Sequence, residues 1–389
     1  MGGEGQLGGN EVGVAGDEGG VGQEGGEGQV DGEGQVDGEG QVGGEGEGEM
    51  ELVGHSGTER LRLLEAALRM QSRHLTEIDA SSGCLPPGSF ERIISPLLQS
   101  QSCALRTLIC PSLPRGSAWA LARSLQEDTQ LRELALGSCS FNSEEAKALA
   151  SALAVHPCLT AVSLEHNPMN DSGGTAVAQS LVSSAISTLK LSFTGASNGT
   201  ARALASSLRD GCALRRLNLC GNCIGGEGIR ALVEVIALSD CTPLEELNLN
   251  VNSGMRPGSL NALFGVLHST SLRKLWLAGC MIDRGSCAKL ASALPHTLIE
   301  VLDISANSFG DCGAWDLAWV LAECVRLQHL NLSDCEISDD GADELAESVG
   351  LAVSLVSLDL RGNTISKDHK ICLDPRANAS YQRLVRREA

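Results

Sequence analysis

One pattern of leucines recurs along most of this chain and constrains its fold more than any other feature. Clear copies read LRRLNLCGNCI from Leu214, LQHLNLSDCEI from Leu327 and LVSLDLRGNTI from Leu355, and all fit L-x-x-L-x-L-x-x-(N/C)-x-(I/L). Eleven copies share one phase, and their mean spacing is 28 residues. Their first residues are Leu75, Leu105, Leu131, Leu159, Ile186, Leu214, Leu244, Leu272, Ile299, Leu327 and Leu355. A repeat of this length indicates a solenoid, in which each unit stacks on its neighbours.

Each unit divides into a strand half and a helix half. Leucines at the fourth and sixth positions, such as Leu217 and Leu219, alternate with polar residues and predict a short strand that is buried on one face. The second half predicts a helix. In the unit that begins at Leu131, Ala146 and Leu149 share one helical face, and Ser143 is the expected N-cap.

The ninth position of the unit is expected to serve the turn that follows the strand. A side-chain amide inside the solenoid can bond to the backbone groups of that turn, and a thiol fits the same place with a weaker donor. These residues are therefore predicted to be structural. They are Cys139, Asn167, Thr194, Asn222, Asn252, Cys280, Asn307, Cys335 and Asn363.

These motifs are those of a leucine-rich repeat. The 28-residue period with a helical second half resembles the ribonuclease-inhibitor-like class, which includes ribonuclease inhibitor, the repeats of NOD-like receptors and Ran GTPase-activating protein. The resemblance covers residues 75–366. It implies an α/β fold, a right-handed solenoid horseshoe of about eleven repeats with parallel strands on the concave face and helices on the convex face.

The segments outside the repeats differ in composition. Residues 1–57 contain 23 of the 46 glycines, 14 acidic residues and neither Lys nor Arg, which predicts a disordered acidic tail. Residues 58–74 predict an N-terminal capping helix, because Leu61, Leu64 and Leu68 share one helical face. Residues 367–389 hold six Lys or Arg against three acids and predict a C-terminal cap or a basic tail.

The net charge argues against some classes of binding partner, and the cysteine content indicates the cellular compartment. A net charge of -20 and a pI near 4.8 argue against a nucleic acid or an acidic membrane as a partner. The chain shows no signal peptide and no run of 18 apolar residues. Its 15 cysteines recur within the repeats, so we expect reduced thiols in a cytoplasmic or nuclear monomer.

The sequence contains no convincing motif for catalysis or metal binding. Cys220 and Cys223 form a single CxxC inside one repeat, with no second pair to complete a zinc site. The glycine-rich stretch 221–228 lacks the Lys-Ser/Thr of a phosphate-binding loop, and the eight histidines are scattered. The sequence therefore predicts no catalytic residue, no cofactor and no metal site. We expect that the protein is not an enzyme.

The residues that flank the buried leucines should point away from the core and line the concave face. Trp276, between Asn248 and Asp303 at the fifth position of successive units, is the main candidate for a partner anchor, and an isolated exposed aromatic is the alternative. Seven further candidates are Lys190, Arg216, His329, Asn331, Asp334, Asp359 and Arg361. For Lys190, Arg216, Asp303, Asp334 and Arg361 a solvated face is the favoured alternative, because few interface residues contribute binding energy. Glu165, His166 and Phe193 also lie at concave positions.

The functional prediction is a non-enzymatic scaffold that binds an unidentified protein in the concavity. The alternative is a regulator of a small GTPase, which the resemblance to Ran GTPase-activating protein implies. Ribonuclease inhibition is a further possibility within the class, supported by the partial alternation of Asn and Cys at the ninth position. Innate-immune sensing would need an upstream nucleotide-binding domain, which residues 1–74 are too short to contain.

Overall fold

The computed structural model describes residues 76–81, 90–100, 104–111, 113–114, 116–238 and 243–366. All of them belong to one compact unit, Glu47–Ala389. The predicted acidic tail (1–57), capping helix (58–74) and C-terminal cap or tail (367–389) lie outside the described residues. Within that part of the chain strands and helices alternate, which confirms the α/β solenoid.

Eleven strands form one parallel sheet, and their order in the sheet is their order in the sequence. Each strand is three residues long and pairs with the strands of the adjoining repeats. They are β1 (Glu77–Asp79), β2 (Thr107–Ile109), β3 (Glu133–Ala135), β4 (Ala161–Ser163), β5 (Thr188–Lys190), β6 (Arg216–Asn218), β7 (Glu246–Asn248), β8 (Lys274–Trp276), β9 (Val301–Asp303), β10 (His329–Asn331) and β11 (Ser357–Asp359).

A helix follows each of the first ten strands and packs against the helices of the neighbouring repeats. A π-helical turn, Phe90–Ile94, leads into the first of them. They are α1 (Ser95–Leu98), α2 (Ser117–Glu127), α3 (Ser143–Leu153), α4 (Asn170–Ser180), α5 (Asn198–Arg209), α6 (Gly226–Ile236), α7 (Asn261–Val266), α8 (Arg284–Ala293), α9 (Gly310–Leu321) and α10 (Asp339–Val349). No helix in the described ranges is long and apolar enough to span a bilayer.

The core lies between the sheet and the helices, and the repeat register builds it. The fourth-position leucines stand opposite one another in adjacent strands, so that Leu217 pairs with Leu247. Leu217, Leu247, Leu330 and Leu358 are at most 3% exposed. Burial of one such side chain contributes about 1.5–3 kcal/mol. The degenerate first copies obey the same register, since Ile78 of β1 pairs with Leu108 of β2.

The ninth-position residues hold the turn at the end of each strand, as predicted. The amide nitrogen of Asn222 donates to the carbonyl oxygens of Leu191 and Leu219 at 2.8 and 3.0 Å. Its oxygen accepts from the backbone N–H groups of Thr194 and Ala196 at 3.1 and 3.0 Å. Cysteine serves the same place, because the Cys280 thiol donates to the carbonyl of Leu249 at 3.1 Å. One side chain thus satisfies backbone groups of two repeats.

The expected N-cap of α3 is wrong by one residue. Asn142 is the N-cap: its backbone is extended and its side-chain oxygen accepts from the N–H groups of Glu144 and Glu145 at 2.9 and 3.0 Å. Glu145 completes a capping box by accepting from the Asn142 N–H at 3.0 Å. Ser143 begins the helix, and its hydroxyl donates to Met169 of the next repeat.

Other helices are capped by a side chain from the preceding repeat. Asp171 in the first turn of α4 accepts from the N–H groups of Ser197 and Thr200 at the start of α5, at 2.9 and 2.7 Å. Asp311 in α9 binds Ser338 in the same way at the start of α10. Ser338 occupies the N-cap position, but its hydroxyl donates to Asp311 instead of capping its own helix. The start of one helix is therefore tied to its neighbour.

Candidate functional site

Trp276 lies in a row of side chains that runs along the concave face of the sheet. The register places it directly between Asn248 of β7 and Asp303 of β9, as the repeat phase predicts. The indole is half-buried, where the sequence led us to expect a solvent-facing side chain. A partly covered indole loses less conformational freedom on binding than a fully solvated one.

The Asn and Asp candidates of this row have a structural role that the sequence analysis missed. The side-chain oxygens of Asn248, Asp303 and Asn331 each accept the backbone N–H two residues on, at 2.9–3.0 Å. In such Asx turns the side chain fixes the backbone conformation of the turn that follows the strand. The outer edge of each side chain still faces the concavity, because all three are only half-buried.

The candidates in the last two repeats form local pairs. The guanidinium of Arg361 donates to both carboxylate oxygens of Asp359, with Nη2 to Oδ2 at 2.6 Å. Hydrogen bonds from Arg361 outweigh partial burial and hold the pKa of Asp359 below its usual 3.8. His329 Nδ1 lies 2.7 Å from the hydroxyl of Ser357 in the next strand. Asp334 is exposed three residues after β10. Asp359 and Arg361 form an ion pair, so together they present no net charge.

Lys190 and Arg216 bring positive charge to the middle of the face. Both side chains are exposed, on the adjacent strands β5 and β6. The Arg216 Nε donates to the hydroxyl of Thr188 at 3.0 Å, which fixes the direction of the guanidinium. The two cations lie diagonally on neighbouring strands, since Arg216 stands opposite Thr188 and Lys190 stands opposite Asn218.

Ion pairs between repeats line the rest of the face and its edge. Lys274 binds Glu246 at 2.9 Å, and Arg273 binds Glu300 at 2.5 Å. All four side chains are at least one-quarter exposed, so each pair contributes less than about 1 kcal/mol to stability. Among the described residues, no group of three or more His, Cys, Asp or Glu side chains is placed to hold a metal ion.

Comparison with known proteins shows which proteins this chain resembles. A family model described as "Leucine Rich repeat" matches residues 155–178, 212–233 and 324–346. Ribonuclease inhibitor from Sus scrofa is 30% identical over 238 residues, which cover 60% of this chain and 46% of that protein. Ribonuclease inhibitor from Mus musculus is 28% identical over 332 residues, which cover 76% of this chain and 70% of that protein. The chain therefore contains leucine-rich repeats and is similar to proteins of the ribonuclease-inhibitor-like class.

A second group of relatives confirms the resemblance to NOD-like receptor repeats. "NACHT, LRR and PYD domains-containing protein 12" from Mus musculus is 24% identical over 322 residues, covering 82% of this chain and 28% of that protein. This leucine-rich repeat protein therefore spans less than half the length of the porcine inhibitor and less than a third of the murine receptor-type protein. Repeats of this kind commonly serve as binding scaffolds for proteins.

His166 and Phe193 form an aromatic pair at the rim of the concave face. The repeat phase predicted both residues on this face, but they were not among the binding candidates. The rings of His166 and Phe193 stack with centroids 4.8 Å apart and planes 9° apart. Phe193 is 49% exposed, and its backbone has a positive φ of 55°. Its ring lies against the next repeat where Gly221 leaves room, because a Cβ at Gly221 would collide with the ring. The sequence feature that could have predicted this stacking is the presence of aromatic residues at the eighth position of two neighbouring repeats.

Glu165 organises a polar network beside this aromatic pair. Its carboxylate accepts from the hydroxyls of Ser163 and Ser192 at 3.0 and 2.7 Å and from the Asn218 amide at 3.3 Å. The network joins three successive repeats of this leucine-rich repeat protein. It makes the centre of the concave face more rigid, since each partner fixes a rotamer of the others.

Proposed function

We propose that the repeat domain is a non-enzymatic scaffold that binds a folded protein across its concave face. The observation that carries the proposal is the row in which Trp276 lies half-buried between Asn248 and Asp303. Binding energy at protein interfaces concentrates on Trp, Tyr and Arg residues that are surrounded by groups able to exclude water. Eleven strands about 4.8 Å apart make a surface about 48 Å long, enough for a standard interface.

The names of the relatives supply the first partner to test. Two of them are called ribonuclease inhibitor, so a pancreatic-type ribonuclease is the first protein to offer to this chain. A panel of small GTPases tests the alternative of a GTPase regulator, and no acceleration of GTP hydrolysis would remove it. A cytoplasmic or nuclear location and a monomeric state also stay predictions.

The experiment compares two tryptophan variants in capture of a protein partner. Trp276→Ala removes the concave anchor, and Trp119→Ala removes an equally large side chain that is 55% exposed on helix α2. We expect Trp276→Ala to weaken binding of the captured partner at least tenfold, or about 1.4 kcal/mol, and Trp119→Ala to leave it unchanged.

Thermal melting provides the control. Trp276 is half-buried on the sheet surface and outside the core, so the melting temperature of Trp276→Ala should stay close to that of the unsubstituted protein. Unchanged capture by Trp276→Ala would contradict the proposal. A collapsed melt would mean that Trp276 belongs to the core and that the assumed repeat phase is wrong.

A further inference from the structure

Three of the four tryptophans lie on the outer surface of helices, away from the concave sheet. Trp315 and Trp319 of α9 are 42% and 78% exposed, and Trp119 of α2 is 55% exposed. Trp315 and Trp319 are four residues apart, so they share one face of α9. Two adjacent exposed indoles in one helix are a costly arrangement unless a partner covers them.

Neighbouring helices carry different residues at the places of these two indoles. The repeat spacing aligns Ala314 of α9 with Ala342 of α10, so the places of Trp315 and Trp319 are taken in α10 by Asp343 and Glu347. On the other side, α8 offers only the small residues Ala288 and Ser292 at these places. The place of Trp315 is polar in α3–α6, where it holds Lys147, Thr175, Arg202 and Arg230. Trp119 of α2 takes the same place as Trp315, but a second indole four residues on occurs only in α9 among the described helices.

Negative charge borders the indole pair on the side of α10 and within α9 itself. Helices α9 and α10 together carry seven carboxylates and neither Lys nor Arg. Asp343 and Glu347 are exposed, whereas Asp311 is used to hold the start of α10. On the other side, α8 carries two exposed cations, Arg284 and Lys289, and no carboxylate. The surface is thus apolar at its centre and acidic along α10.

Apolar exposure also concentrates at this end of the repeats. Six of the 14 large apolar side chains that are exposed among the described residues fall within 315–356. They are Trp315, Trp319, Val325, Leu351, Val353 and Val356. A segment that lies across α9 and α10 would thus find further apolar side chains in the loops that follow these helices.

We propose that Trp315 and Trp319, together with Asp343 and Glu347, form a second docking surface that binds a cationic amphipathic segment of a partner protein. Apolar side chains of that segment cover the indoles, and its Lys or Arg residues face the carboxylates of α10. The faces of the indole rings also attract Lys and Arg by cation–π interaction. This surface lies on the helices and is separate from the concave sheet.

The test uses a dye-labelled amphipathic peptide of leucine and lysine as the probe and the full chain as the receptor. Fluorescence anisotropy should show saturable binding that the double variant Trp315→Ser/Trp319→Ser weakens at least tenfold. Trp119→Ser is the matched control and should bind as the unsubstituted protein does, because α2 contains Arg123 and a single tryptophan. The same peptide with glutamate in place of lysine should not bind.

Three results would overturn the proposal. The first is no saturable binding of the lysine peptide. The second is full binding by the double variant, which would show attraction to acidic residues elsewhere, such as those of 1–57. The third is self-association that the double variant abolishes, since it would assign the surface to a second copy of the chain. The melting temperature of the double variant should not change, because both indoles are exposed.

Discussion

At the scale of single residues, the ninth position of the repeat matters most for stability. Asn222 makes bonds to backbone groups on both sides of a turn while it is only 2% exposed. Backbone groups that lose such a partner inside the protein have no water to replace it. The sequence could identify this role because Asn or Cys recurs at one place in every clear copy.

Replacing Asn222 with alanine should therefore be strongly destabilising. We expect Asn222→Ala to lower the free energy of unfolding by roughly 2–4 kcal/mol, because it leaves several buried donors and acceptors unsatisfied. Urea denaturation followed by circular dichroism measures the change. The matched control is Asn331→Ala on the half-buried sheet surface, for which we expect a loss of about 1 kcal/mol or less. Equal losses would refute the assigned role.

The cysteines should differ sharply in reactivity. Burial raises the pKa of Cys280 to about 11 and that of Cys335 to about 12, so both stay protonated near neutral pH. Cys158 and Cys223 are exposed. With iodoacetamide at pH 8, peptide mapping should find Cys158 and Cys223 alkylated in the native protein and Cys280 and Cys335 alkylated only after unfolding. Comparable native rates at all four sites would contradict the predicted structural thiols.

At the scale of elements, helix starts depend on neighbouring repeats. The repeat phase was enough to predict all eleven strands, including β1 and β2 in the weaker first copies, since the pattern is local. The cap of α3 was missed by one residue because Asn142 and Ser143 are both good capping residues. The caps that Asp171 and Asp311 provide could not be predicted, because they join residues of different repeats.

For the candidate site, the sequence predicted the positions of the residues along the sheet but not the contacts between their side chains. The single repeat phase placed Trp276 between Asn248 and Asp303, which the sheet register confirms. The pairing of Arg361 with Asp359 and the stacking of His166 on Phe193 depend on side-chain rotamers, which a repeat pattern does not specify.

The cap that Asp171 provides should give stability that depends on pH. Burial opposes ionisation of Asp171, but hydrogen bonds from Thr200 and Ser197 outweigh it and lower its pKa below 3.8. Since the folded-state pKa is lowered, the ionised cap stabilises the protein above about pH 4, and this contribution is lost as the pH falls through the folded-state pKa. We expect Asp171→Ala to cost about 1 kcal/mol at pH 7.

The stability gap between Asp171→Ala and the unsubstituted protein should narrow in acid, as measured by urea denaturation at pH 7 and pH 3. Asp210→Ala is the matched control, because Asp210 is an exposed carboxylate at the other end of α5 and caps no N-terminus. It should cost nothing, since a carboxylate there opposes the helix dipole. A gap for Asp171→Ala that does not change with pH would contradict an ionic cap.

At the scale of the whole repeat unit, one register accounts for core, curvature and binding face. Strands stack about 4.8 Å apart and helices about 8–10 Å apart, so the stack bends with the sheet inside. The same register buries one side chain of each strand and presents the two beside it. A shift by one residue would exchange these sets, which makes the register the central claim.

The most direct measurement compares the same substitution at two adjacent positions of β7. Leu247 is 1% exposed and Asn248 is half-buried on the concave face. We expect Leu247→Asp to lower the free energy of unfolding by more than about 3 kcal/mol, because it places a carboxylate in the core, and Asn248→Asp to change it by less than about 1 kcal/mol. Equal effects, or a larger loss for Asn248→Asp, would contradict the register and with it the concave binding face.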